Sequence, residues 1–313
     1  MELLKMLQTI RNPVLDVILG AITYLGDETI LMVLGMAVLW CMDKKWGYRL
    51  MFISLAGTAL NQLLKAIFLI PRPWVLDPAF EIVESARAAA TGYSFPSGHT
   101  QTVATVFGTI ACWTKKRWAQ VICVVIVLLV GFSRMYLGVH TPLDVGVSLL
   151  TGFVMVVLLN RLMSRHDSSD KGRAGLCIGF VLSALALLAY VLFAPKREAN
   201  VAEFDAQGLK AAWTLMGAMA GMVLTWYVDA KHTHFETKAV WWAQLIKLTG
   251  GLALVMAVRT GVKPLFTALW GDAMFAHGIR YFLMVLAGGV LWPMTFRWFS
   301  RLDGKTLPAT EKA

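Results

Sequence analysis

The chain has 313 residues, of which 58% are hydrophobic and 15% charged, and its formal net charge is +10. A soluble domain carries roughly 25% charged residues, so an ordinary soluble enzyme is excluded. The basic excess does not mark a nucleic-acid binder either: polar surface to carry a basic stripe is scarce, and Lys and Arg gather in short breaks beside apolar segments.

Taken in chain order, residues 1–12 are expected to form an amphipathic helix on the membrane surface. Leu3, Leu7 and Ile10 share one face, and Glu2, Lys5 and Gln8 lie elsewhere. Residues 13–26 are apolar but short, either a re-entrant piece or an added span. Asp16, Asp27 and Glu28 interrupt this stretch early and argue against a signal peptide. A span needs about 20 mostly apolar residues, and such segments are expected at 28–42, 48–70, 99–114, 118–135, 141–160, 175–194, 211–229, 239–259 and 278–298. The fold class is therefore an all-α, polytopic membrane helix bundle of about nine transmembrane helices. Its expected division is a core over 1–195 and an extension of about three helices over 196–313.

The breaks orient the bundle. Lys44, Lys45 and Arg49 mark one loop, Lys115, Lys116 and Arg117 a second, and Arg161, Arg165, Lys171 and Arg173 a third. These are the expected cytoplasmic loops, which leaves 71–98 and 134–141 facing outward. Cys41, Cys112, Cys123 and Cys177 lie in or beside apolar segments with no CxxC spacing, and read as small buried hydrophobes.

Three islands of chemistry fall on the expected outer face. The first is Lys65 followed by Pro71-Arg72-Pro73, the second Pro96-Ser97-Gly98-His99, and the third Ser133-Arg134 with His140 and Asp144. Lys65, Arg72 and Arg134 suit a phosphate, which Arg grips through paired hydrogen bonds and Lys as a point charge; a snorkelling helix-end cation is the plainer account of Lys65 alone. Ser97 and Gly98 sit where a loop becomes a helix, so free backbone N–H groups offer an anion site there, although Ser97 also suits a simple N-cap. His99 is placed to protonate a leaving oxygen. Asp144 lies one turn beyond His140. It can accept the Nδ1 proton and leave Nε2 free to attack, and Thr141-x-x-Asp144 equally resembles a capping box.

Lys65-x6-Arg72-Pro73, Pro96-Ser97-Gly98-His99 and Ser133-Arg134-x5-His140-x3-Asp144 resemble, at all eleven specified positions, the three-part signature of the type 2 phosphatidic acid phosphatase and vanadium haloperoxidase superfamily. The many spans point to its membrane lipid phosphatase branch. The resemblance implies a six-helix core and a metal-independent phosphatase that needs no cofactor. It makes His140 the nucleophile that becomes phosphohistidine, Asp144 its orienting partner, and His99 the proton donor. Lys65, Arg72, Arg134, Ser97 and Gly98 would bind phosphate, with His140 neutral and His99 protonated. The expected substrate is a lipid phosphate or diphosphate of the polyprenyl diphosphate, phosphatidic acid or phosphatidylglycerol phosphate class. The expected setting is a bacterial plasma membrane with the site outward, no nucleic acid as partner, and an oligomeric state the sequence does not reveal. Two alternatives stand beside this: a non-catalytic lipid-phosphate binding or transport protein of the same fold, and a phosphatase for a soluble sugar phosphate.

Outside the signature, Gly217-x3-Gly221 allows close helix packing. Lys247 lies within an apolar run, where it is either functional, paired with a carbonyl, or snorkelling to the membrane surface. His232 and His234 are expected to be solvated, and Trp226, Trp241, Trp242, Trp292 and Trp298 to form an interfacial belt.

Overall fold

The computed structural model describes residues 1–193 and 202–302, so the expected bounds at 194–201 and the tail beyond 302 lie outside the described residues. The described chain is all-α and divides into two units, Met1–Met32 with Arg49–Met216, and Val33–Tyr48 with the described residues from Gly217 on.

In the first unit, α1 (Glu2–Thr9) buries Leu4 and Leu7, whereas Leu3 and Ile10 are exposed. The buried stripe is thus one residue away from the expected face, and Lys5 pairs with Asp77 at 2.9 Å. Asn12 caps α2 (Pro13–Thr23) by accepting from the Leu15 N–H, with Pro13 at the first helical position. α2 packs on α7 (Arg117–Tyr136) and is tied there by polar contacts. Arg11 Nε donates to the Tyr136 carbonyl at 2.9 Å, and the Tyr136 hydroxyl donates to Asp16 at 2.8 Å.

The centre of this unit is α6 (Gly98–Trp113), held between α7 and α8 (Pro142–His166). Its buried face is unusually polar, with Thr100, Gln101, Thr102, Thr105 and Thr109. Thr102, Thr105 and Thr109 donate to carbonyls of their own helix, which lets a polar face pack without stranded hydroxyls. At Gly152 of α8 an added Cβ would come within 2.7 Å of Ala104 Cβ, so glycine sets the α6–α8 approach. Two further helices, α4 (Lys44–Phe68) and α9 (Asp170–Phe193), join through the stacked rings of Phe52 and Phe180, 4.5 Å apart, and through Arg49 and Asp167 at 2.8 Å.

In the second unit, α10 (Ala202–Val228) meets α12 (Phe275–Leu286). A Cβ at Gly217 would lie 1.9 Å from the Gly278 carbonyl oxygen, so the expected close approach is present. Lys247, on α11 (Trp241–Trp270), takes the carbonyl-paired alternative. Its ammonium donates to Thr237 O at 2.9 Å and lies 4.1 Å from the Phe296 ring centroid. Trp226 is buried near Tyr48, and Trp292 donates to the Lys247 carbonyl at 2.8 Å. Trp226 is therefore interior and Trp292 half-buried, and of the five only Trp241, Trp242 and Trp298 are exposed in the manner of a belt.

Among the described residues, seven helices are long and apolar enough to cross a membrane, or eight if the bent pair Pro13–Gly26 and Glu28–Met42 counts as one span. The expected span over 99–114 corresponds to α6, which has 16 residues. At about 1.5 Å per residue it reaches roughly 24 Å, short of a hydrocarbon core of about 30 Å.

Candidate active site

Four backbone segments of the first unit converge. α4 ends near Lys65, Arg72 sits in extended backbone before Pro73, Ser97 caps α6, and His140 lies in the short connection between α7 and α8. Side chains and backbone pin these segments together. Ser94 N–H donates to Ile70 O at 2.8 Å, and Ser97 N–H to Asp144 O at 3.2 Å. Arg72 is buried and donates through Nε to Gly92 O at 3.0 Å and through Nη2 to Thr91 O at 2.6 Å. Lys65 is buried and donates to the Tyr93 carbonyl.

His140 is 1% exposed. Arg72 Nη1 lies 2.8 Å from its Nε2 and also donates to Val139 O at 2.9 Å. A guanidinium has no acceptor, so Nε2 must present its lone pair to Arg72 and the ring proton must sit on Nδ1. That proton faces Asp144 Oδ2 at 3.4 Å. The tautomer is therefore the one a nucleophilic Nε2 requires. Burial, followed by the positive charges of Arg72, Arg134 and Lys65, holds His140 well below the usual histidine range, so it is neutral.

Asp144 Oδ2 accepts three donors: Ser94 Oγ at 2.6 Å, Thr141 N–H at 2.7 Å, and His140 Nδ1. Thr141 Oγ1 accepts from the Asp144 N–H at 3.2 Å, which completes a capping box. One oxygen therefore serves both readings of Asp144. Ser97 likewise is an N-cap, accepting from Thr100 N–H and from Thr100 Oγ1 at 2.9 Å, and its own hydroxyl hydrogen remains to be donated.

Arg134 closes the set. It is fully buried, Nη1 donates to Thr23 Oγ1 at 2.9 Å, and Nε and Nη2 have no protein partner. Buried guanidinium N–H groups left without acceptors are costly, which is the signature of a place shaped for an anion. His99, the second residue of α6, lies against Gly26, where an added Cβ would meet its carbonyl oxygen at 3.0 Å. Burial, then Arg134, Arg72 and Lys65, push His99 down as well. The expected contrast of one neutral and one protonated histidine is thus not built into the protein alone.

The structure brings together Lys65, Arg72, Ser97, Gly98, His99, Arg134, His140 and Asp144. Sequence reasoning missed Thr23, Ser94 and Asn61. Asn61 stands one turn before Lys65 on α4, is buried, and donates to the Ser97 carbonyl at 3.4 Å.

Comparison with known proteins gives the family. The PAP2 superfamily profile matches residues 46–168, a stretch holding every signature position, and the profile for the transmembrane extension of PAP2 superfamily phosphatases matches 213–305. Phosphatidylglycerophosphatase B of Bacillus subtilis is 34% identical over 52% of this chain and 80% of its own length. The chain belongs to the PAP2 superfamily. It is a membrane phosphatase of that family. Among other relatives, an undecaprenyl-diphosphatase of Sulfolobus acidocaldarius is 27% identical over 48% of this chain and 72% of its own. Human glucose-6-phosphatase 3 is 23% identical over 87% of this chain and 78% of its own. The crystal structure of Aquifex aeolicus LpxE is 29% identical, with a TM-score of 0.46 over 51% of this chain and 93% of that one.

Proposed function

We propose that this PAP2 phosphatase hydrolyses a lipid phosphate or diphosphate, of the phosphatidic acid, phosphatidylglycerol phosphate or polyprenyl diphosphate class, through a phosphohistidine on His140. The observation that carries the reading is buried Arg134, with two unpartnered donor nitrogens, in the same site as a neutral histidine whose Nε2 holds its lone pair. A phosphate group supplies the missing acceptors. The substrate class draws support from the membrane setting of the site and from relatives named for lipid phosphates.

The substrate phosphate takes the free donors of Arg134 and draws Arg72 Nη1 from His140 Nε2. The Nε2 lone pair then forms the N–P bond, the P–O bond to the leaving group breaks, and His99 gives its proton to that oxygen. Asp144 holds the Nδ1 proton and stabilises the positive ring. In the second half His99 takes a proton from water. The water oxygen bonds to phosphorus, the N–P bond breaks, and its electron pair returns to Nε2. Bound phosphate carries about −1.5 to −2 charges at pH 7; it offsets the cations around His99 and draws the proton onto that ring. Lys65, Arg72 and Arg134 neutralise the developing charge, the part Mg²⁺ plays elsewhere, so activity is expected to resist EDTA. The Lys and Arg distribution favours an outward-facing site.

A second reading is a soluble sugar phosphatase. The match to glucose-6-phosphatase 3 runs over 87% of this chain, whereas the match to phosphatidylglycerophosphatase B covers 52%. Phosphate release by the purified protein separates the two, using phosphatidic acid, phosphatidylglycerol phosphate, undecaprenyl diphosphate and glucose 6-phosphate with EDTA present. Lipid turnover with an acid-labile phosphoenzyme, lost in His140→Ala, is expected. Preferential turnover of glucose 6-phosphate selects the second reading, and full activity in His140→Ala defeats the mechanism.

A further inference from the structure

The first unit contains a groove of about 660 Å³ between α4, α8 and α9, within the roughly 300–1,000 Å³ usual for small-molecule sites. On α9 its lining runs from Lys171 to Ala186, about 22 Å of helix at 1.5 Å per residue. That exceeds one leaflet of a hydrocarbon core about 30 Å thick. Its walls are apolar along this length. The hydroxyl of Ser183, which also lines it, donates to the Phe180 carbonyl at 2.7 Å, so it asks nothing of a ligand.

One end is different. His166 and Lys171 line the groove there. The neighbouring carboxylates already hold other cations, the buried Asp167 paired with Arg49 at 2.8 Å and the exposed Asp170 with Arg173. Neither His166 nor Lys171 is in an ion pair among the described residues, so the mouth of an apolar channel is left positive. His166 ends α8 and the catalytic connection precedes it; about 36 Å of helix separates the two at 1.5 Å per residue. On α4, Ala56, Ala59, Leu60 and Leu63 line the groove, whereas Asn61 and Lys65 serve the catalytic site. At 3.6 residues per turn these two sets stand on roughly opposite sides of the helix. The groove is therefore separate from the site of phosphate chemistry.

We propose that this groove binds a second, non-substrate lipid: an anionic phospholipid whose acyl chain lies along α9 and whose phosphate headgroup meets Lys171 and His166. The inference does not depend on which substrate the enzyme hydrolyses.

Two glycines make it testable. A Cβ added at Gly175 or Gly179, both of which line the groove, meets no heavy atom within 4 Å. Gly175→Leu with Gly179→Leu therefore sends two branched side chains into the groove from Cβ positions that meet no protein atom. Full-length protein is reconstituted with equal phosphatidylglycerol and phosphatidylcholine, and retained lipid is counted by native mass spectrometry. The natural protein should hold phosphatidylglycerol in preference, and the double leucine variant should lose it. Lys171→Gln, at an exposed position that does not threaten folding, should lower the preference about fivefold, the effect of one interfacial cation on an anionic lipid. Equal retention of both lipids by the natural protein overturns the proposal, as does unchanged retention by the leucine variant. If that variant keeps its lipid but turns over long-chain substrate more slowly, the groove is the path of the substrate tail instead. If it keeps its lipid but changes oligomeric state, the groove is a contact between copies.

Discussion

Thr23→Val isolates the contribution of α2 to catalysis. Thr23 Oγ1 accepts from Arg134 Nη1 at 2.9 Å, both side chains are buried, and the other two Arg134 donor atoms have no protein partner. Valine keeps the shape and removes the acceptor. A hydrogen bond to a charged group is worth about 1.5–3 kcal/mol, and about 1.36 kcal/mol is a factor of ten. If that energy fixes the guanidinium for phosphate, kcat/KM falls and the vanadate inhibition constant rises by about ten- to 150-fold. The assay is phosphate release from a short-chain, water-soluble substrate, with vanadate titration and a melting curve on the same preparations. Thr23→Ser restores the hydroxyl and should restore both constants. Thr23→Val within twofold of the natural protein in both constants would refute the reasoning, because Thr23 would then only fill space.

Asp144→Asn keeps an acceptor oxygen for the Thr141 N–H but loses the charge beside His140. We expect kcat to drop by about 10²–10⁴ with little change in melting temperature; Asp144→Ala should lose as much activity and a further ~1 kcal/mol of stability with the cap. His99 is held below its usual range in the free protein, and a bound anion raises it, so vanadate binding should take up protons. Uptake should grow as pH falls from 8 towards 6, measured calorimetrically in buffers of different ionisation enthalpy. It should vanish in His99→Gln, and no uptake in the natural protein defeats the assignment of His99. Gly217→Val forces a side chain where even Cβ lies 1.9 Å from Gly278 O; a loss of about 1–3 kcal/mol or more is expected in thermal unfolding, and an unchanged melting temperature contradicts this α10–α12 contact.

The signature residues were legible because their chemistry is local to short motifs: Pro73 after Arg72, a Ser N-cap before His99, and Asp144 one turn past His140. Thr23 and Ser94 were not. Thr23 lies 111 positions from Arg134 and Ser94 lies 50 from Asp144, and neither sits in a pattern that names a partner so distant. The helical, membrane character followed from composition, but a count of nine spans did not allow for α6, whose threonine hydroxyls donate to carbonyls of their own helix and make a short polar helix stable at the centre of the first unit. The protein-facing side of α1 was not legible for a related reason. Leu3, Leu7 and Ile10 make a good stripe for a membrane surface, yet Leu4 and Leu7 pack on protein. Trp226 and Trp292 show the same limit, since a tryptophan near a helix end reads as interfacial until a neighbouring helix covers it.

A single oxygen, Asp144 Oδ2, both closes the first turn of α8 and faces the ring proton of His140. Fraying of that helix end and disarming of the nucleophile are therefore one event. Warming would silence the enzyme through a local opening of a few residues, well before the bundle comes apart. The temperature at which activity fails would then report the grip of one turn of helix and not the strength of the fold.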